Sequence, residues 1–208
     1  MEIAAIAARA PVIPVLTIER TADAVPLARA LVKGGLPVLE VTLRTAVAVE
    51  ALRAIAAEVP EAVPGAGTLL EPRQVDEVRR AGATFAVSPG CTAQLVTAAK
   101  AAGLPFLPGI QTVSEAMALA ELGFRLMKFF PAGAAGGLVW LKAVAAPLAG
   151  LRFCPTGGID AESASRYLAL GNVACVGGSW MAPRDAVASG DWRRVERLAA
   201  AAAALKRR

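Results

Sequence analysis

The residue that most needs explaining is Lys128. It stands in Arg125-Leu126-Met127-Lys128-Phe129-Phe130-Pro131, an apolar run that reads as a buried strand. Lysine is almost never fully buried unless it is paired or working. Desolvation disfavours the ammonium, so such a group either finds a counter-ion or gives up its proton. A neutral amine in a dry pocket attacks carbonyl carbon. The other four lysines, Lys33, Lys100, Lys142 and Lys206, fall on helices, near helix ends or in the tail, where a solvated charge is the simpler reading.

A second constellation lies in Val38-Leu39-Glu40-Val41-Thr42-Leu43-Arg44. The two-residue period of a strand puts Glu40, Thr42 and Arg44 on one face and the aliphatic residues on the other. The aliphatic face belongs against helices, which turns Glu40 and Arg44 inward. The bland alternative is a buried Glu40–Arg44 ion pair, costly to desolvate and weak evidence for stability. The same parity on the lysine strand turns Leu126, Lys128 and Phe130 inward and Met127 and Phe129 outward, so that Lys128 meets Glu40. Phe130 then forms a pocket wall and Phe129 packs in the core.

Two glycine pairs follow, Thr156-Gly157-Gly158 and Gly177-Gly178-Ser179. Glycine lets backbone amides approach an anion closely, and a following helix N-terminus adds positive potential. Further strand-end turns are Gly65-Ala66-Gly67-Thr68, with a free hydroxyl on Thr68, and Ser88-Pro89-Gly90 and Pro108-Gly109-Ile110. From the residues alone, the substrate expected is a carbonyl compound bearing a phosphate. Lys128 attacks it, Glu40 moves protons, and Arg44 holds a carboxylate beside the carbonyl.

The elements that must position these groups alternate regularly. Strands are expected at 12–16, 38–43, 62–67, 84–88, 106–108, around Lys128, at 151–154 and at 173–176. Helices are expected at 3–8, 22–33 (ending in Gly34-Gly35), 46–58, from 72, from near 92, from 112, at 138–145, 161–170 and from about 192. Thr112 reads as an N-cap with Glu115 at the capping-box position. Eight strand–helix units predict a parallel (β/α)8 TIM barrel with a short N-terminal helix, one domain over 1–208. An open doubly wound sheet is the competing fold, but no GxGxxG follows the first strand. In a barrel the chemistry lies at the carboxyl ends of the strands, and phosphate binds after strands seven and eight.

Composition narrows the chemistry. The 208 residues contain no histidine, which removes Ser-His triads, His-ligated zinc and imidazole acid–base catalysis. Three cysteines, Cys91, Cys154 and Cys175, show no metal-type or CxxC spacing and read as reduced core residues. The hydrophobic fraction of 56% suffices for a large core, yet no run of apolar residues has the length of a membrane span. The N-terminus lacks a basic n-region and carries Pro11 and Pro14, so no secretory signal is expected and the cytoplasm is the expected location. The net charge is +5, but aromatics are only 5% and no basic cluster interleaves with them, which argues against nucleic acid. The terminal Lys206-Arg207-Arg208 suits the C-terminal end of a helix dipole.

Taken in order, EVTLRT, GAGT, SPG, PG-I, KFFPA, PTGGI and GGSW resemble 2-keto-3-deoxy-6-phosphogluconate (KDPG) aldolase, a class I, Schiff-base enzyme family of the Entner–Doudoroff pathway. The resemblance spans essentially the whole chain. It implies that Lys128 is the Schiff-base lysine, Glu40 the general acid/base and Arg44 the substrate-carboxylate binder. It further implies that Thr68 lies near the pyruvyl moiety and that Pro89 and Phe130 line the pocket. Thr156, Gly157, Gly158, Gly178 and Ser179 then receive the phosphate. The implied assembly is a homotrimer, with no cofactor and no metal, because the iminium replaces a Lewis acid. The loop PAGAAGG departs from the family, whose members commonly carry an acidic residue near Gly133. Alternatives are preference for the galactonate epimer or for 4-hydroxy-2-oxoglutarate, a phosphate-binding barrel isomerase or synthase that uses Lys128 only as a charge, and a non-enzymatic binding barrel.

Overall fold

The computed structural model describes residues 2–206. Strands β1 (Val12–Leu16), β2 (Val38–Thr42), β3 (Val63–Gly67), β4 (Phe85–Val87) and β5 (Phe106–Leu107) pair in parallel, and β9 (Val176–Gly178) joins β1 on its other side. Strands β6 (Gly109–Ile110), β7 (Leu126–Phe129) and β8 (Arg152–Pro155) form the remaining arc. The fifth barrel strand, expected at 106–108, is thus split into β5 and β6 by Pro108, which has no N–H to give to a ladder. Its carbonyl still accepts from the Lys128 N–H at 2.8 Å, so the wall is continuous there. Single bridges Phe153↔Val173 and Thr156↔Gly177 join β8 to the β9 segment and complete the (β/α)8 barrel.

Helices α2 (Thr21–Lys33), α3 (Ala48–Glu58), α4 (Pro72–Arg80), α5 (Ala93–Ala101), α6 (Val113–Glu121), α7 (Gly137–Val144) and α8 (Ala164–Leu168) alternate with the strands. Thr112 and Glu115 form the expected reciprocal cap: each side chain accepts from the other's backbone N–H, at 3.3 and 2.7 Å. Gly35, at φ +90°, takes the left-handed turn that ends α2. The helix expected at 161–170 shortens to α8 because Asp160 and Ser163 close a separate turn on each other. The last strand lies nearer the mouth than the expected 173–176, set by the pairing of Val12 with Val176 and Pro14 with Gly178. A short helix α9 (Arg184–Ser189) precedes α10 (Trp192–Ala203) and was not expected from the sequence. The basic positions 207 and 208 lie outside the described residues.

Alternation along the strands divides the apolar residues into two clusters. Leu39, Val41, Met127, Phe129 and Phe153 pack outward against the helices. Phe129 stacks on Trp140 of α7 with ring centroids 4.2 Å apart. Ile13, Val38, Val63, Phe85, Val87, Leu107, Leu126 and Cys154 fill the barrel. The amino-terminal helix α1 (Ile3–Ala7) joins this inner cluster through Ile6 and Ala7, which are 1% exposed.

Candidate active site

Lys128 and Glu40 meet inside the barrel. Lys128 Nζ donates to Glu40 Oε1 at 2.9 Å, and the two side chains are only 4% and 3% exposed. Strands β7 and β2 bring them together across 88 positions of sequence. The expected inward parity of both residues therefore holds, while the Glu40–Arg44 pairing does not occur. The pair is costly to desolvate, so stability is a poor reason for its presence. Lys128 Nζ also lies 5.5 Å from the Phe130 ring centroid, close enough for the ring face to attract a cation.

Gly67 makes room for the carboxylate. A methyl at this position would lie 2.2 Å from Glu40 Oε1 and 2.5 Å from its Cγ. Gly65 does the same for the Phe85 ring, and Gly177 for the Thr156 hydroxyl, each at 2.3 Å. Gly67 was not singled out from the sequence. Its signal is parity, since Val63, Gly65 and Gly67 share the face on which Val63 joins the inner cluster.

Arg44 lies beyond the end of β2 and is exposed at the mouth, where its Nε donates to Thr68 Oγ1 at 3.2 Å. Thr68 has φ +62°, a left-handed backbone that a β-branched residue adopts only under constraint. Arg44 and Phe130 line a cavity of about 170 Å³ together with Thr156, Gly157, Gly158, Gly178 and Ser179. Val15, Thr17, Ile159 and Gly177 complete its wall. Thr17 was missed, although Ile13, Val15 and Thr17 follow the inward parity of β1. Its hydroxyl lies 3.3 Å from that of Thr42, which donates to the Leu16 carbonyl.

Gly157 and Gly158 have φ +95° and +73°, conformations that favour glycine. The loop after Lys128 docks on this turn: Ala132 N–H donates to Thr156 O and Gly133 N–H to Gly157 O, at 2.8 and 2.9 Å. Gly178 lies against the Trp180 ring, where a Cβ would come within 1.9 Å. Pro89 stands apart from the cavity lining, with its carbonyl group packed on Gly109, the register partner of Lys128.

Beneath the pair lie two thiols. Cys154, the register partner of Lys128, is held below the usual thiol range by its hydrogen bond with Cys175. The charge of Lys128 acts in the same direction, against burial and Glu40. Among the described residues no group of three or more Cys, Asp and Glu side chains is placed to hold a metal ion. No helix among them is long and apolar enough to cross a membrane.

A closed parallel barrel with an amine–carboxylate pair facing its carboxyl mouth defines the class, a barrel with the parts of a Schiff-base lyase. The particular family follows from comparison. The chain belongs to the KDPG and KHG aldolase family, whose model matches residues 3–198. It is 54% identical over 189 residues to the KHG/KDPG aldolase of Escherichia coli (strain K12), spanning 91% of this chain and 89% of that one. It is also 54% identical over 194 residues to the 2-dehydro-3-deoxy-phosphogluconate aldolase of Dickeya dadantii (strain 3937), spanning 93% and 91%. A solved KDPG aldolase from Legionella pneumophila, with pyruvate captured at low pH as a covalent carbinolamine intermediate, superposes with a TM-score of 0.96. That structure is 45% identical and is covered over 99% of its length, and 98% of this chain.

Proposed function

We propose that this enzyme is a class I aldehyde-lyase that cleaves KDPG reversibly to pyruvate and glyceraldehyde 3-phosphate. The observation that carries the reading is the buried 2.9 Å contact between Lys128 and Glu40, beside Phe130 of the mouth cavity. Glu40 takes a proton from the Lys128 ammonium, and the free amine attacks the C2 ketone to form a carbinolamine. Protonation of its hydroxyl by Glu40 releases water and leaves a cationic iminium. Glu40, now a carboxylate, accepts the C4 hydroxyl proton. The C3–C4 electron pair flows into the iminium, leaving an enamine, and glyceraldehyde 3-phosphate departs. Glu40 returns the proton to C3 of the enamine, and water hydrolyses the iminium to pyruvate and Lys128. Positioned proton transfer of this kind is worth about 10²–10⁴-fold.

Arg44 holds the carboxylate beside C2, with Thr68 fixing the guanidinium. Pro89 and Phe130 confine the pyruvyl part. Thr156, the amides of Gly157, Gly158 and Gly178 and the Ser179 hydroxyl receive the phosphate. No cofactor has a role in these steps. The working unit is a homotrimer of single-domain chains in the cytoplasm. Exposed Leu70, Met117 and Val139, at 62%, 53% and 77%, offer apolar surface to a second copy.

A second activity on 4-hydroxy-2-oxoglutarate is favoured by the dual name of the relative from E. coli. The test is kcat/KM for pyruvate release from KDPG, its galactonate epimer and 4-hydroxy-2-oxoglutarate, coupled to lactate dehydrogenase. KDPG is expected to lead. Preference for the epimer reassigns the substrate, and no release from any of the three refutes the lyase.

A further inference from the structure

The amino end of the barrel carries a second hollow, unconnected with the chemistry above. A cavity of about 410 Å³ opens there, larger than the one at the mouth. Small ligands occupy pockets of about 300–1,000 Å³. Ala4, Ala8, Gly150 and Ala174 contribute only small groups to its wall, which leaves the space unfilled. The functional groups are Arg125 and Arg152.

Arg125 immediately precedes β7, and Arg152 lies on the neighbouring strand β8. Arg152 opens β8 and pairs in register with Leu126, and its N–H donates to the Arg125 carbonyl at 2.8 Å. Both side chains reach the wall of this cavity from different neighbours, and neither charge is neutralised there. Among the described residues neither guanidinium has a carboxylate within ion-pair distance. No carboxylate lines the cavity. Each guanidinium does hold carbonyls: one nitrogen of Arg125 donates to Ala120 O and Phe124 O, and one of Arg152 to Val173 O. A guanidinium has five N–H groups in a rigid fork, so most of the donors are still available. Across Arg125 a neighbouring hollow brings in Lys100, with Glu2 as its one acid.

We propose that Arg125 and Arg152 form a binding site for a small phosphate dianion, free or carried as an ester, at the amino end of the barrel. Two guanidinium forks lining a space of this size suit bidentate recognition of a tetrahedral anion, and small neighbours leave room for an ester's carbon chain. Remoteness from the mouth makes the site independent of the lyase reading.

Amide chemical shifts of the whole protein, titrated separately with inorganic phosphate and glycerol 3-phosphate, test this. The Gly150 and Ala174 amides are expected to move saturably with at least one probe, and not with sodium chloride at equal ionic strength. Arg125→Ala/Arg152→Ala should weaken this binding about tenfold, while movement at Gly157 and Gly178 persists. Should that variant fail to fold, Arg125→Lys/Arg152→Lys keeps the charge and removes the forks, and it should still weaken binding. Absence of saturable movement at Gly150 and Ala174 with both probes overturns the proposal. So does movement equalled by chloride, or unaltered in the folded variants.

Discussion

The two halves of the barrel interior are built on the same alternation but filled oppositely. Towards the amino end, inward positions carry Ile13, Val38, Val63 and Leu126, closed by Ile6 and Ala7 of α1. Towards the carboxyl end, the same parity delivers Glu40, Thr42, Lys128 and Thr156, each 5% exposed or less. Glycines at 65, 67 and 177 replace side chains there and leave space beside Phe85, Glu40 and Thr156. Leu126 and Lys128 are one strand period apart, yet one belongs to a packed core and the other to a buried ion pair. The lower half therefore supplies the rigidity on which the upper half's desolvated charges depend.

This contrast predicts that damage in the upper half affects turnover and damage in the lower half affects stability. The largest effect is expected from Glu40→Gln, which keeps the shape of the side chain but cannot take up a proton. Steady-state kcat should fall about 10²–10⁴-fold while a pyruvate adduct still forms. Unchanged kcat would remove Glu40 from its role. In the lower half, Ile6→Ala empties part of the plug. Denaturant unfolding should show a loss of about 2–5 kcal/mol, with kcat preserved in the folded fraction. A large fall in kcat without destabilisation would erase the division between the halves.

The division was readable only where a local period carried it. Parity separated Glu40 and Lys128 from their outward neighbours, and Phe130 from Phe129, because a period of two needs no tertiary information. The same parity brought Lys128 to Glu40 from another strand, whereas Arg44, the alternative partner two periods further on, sits past the end of β2 at the mouth. The space-making role of Gly67 was hidden, since it depends on a side chain from β2. Pro108 interrupts hydrogen bonding without bending the chain out of the barrel, so one expected strand became two. The α9 helix is too short, at six residues, to display a helical period.

Gly67→Ala sharpens the comparison at smaller scale, because its methyl would occupy the carboxylate's position. Overpacking of this kind costs about 1–3 kcal/mol. Displacement of Glu40 should lower kcat more than it changes KM, and an intact kcat would show that the carboxylate has room to move. Smallest is Thr112→Ala, outside both halves. Loss of its cap should cost about 1 kcal/mol in denaturant melts and leave the kinetics unaltered. A change in kcat there would mean that the site depends on α6.

The central claim is that Lys128 forms the Schiff base. Its most direct measurement is borohydride reduction in the presence of pyruvate, followed by proteolysis and mass spectrometry. A reduced pyruvyl adduct is expected on the peptide containing Lys128, and none on Lys128→Arg. An adduct on another lysine, or turnover with no adduct at all, would contradict the account.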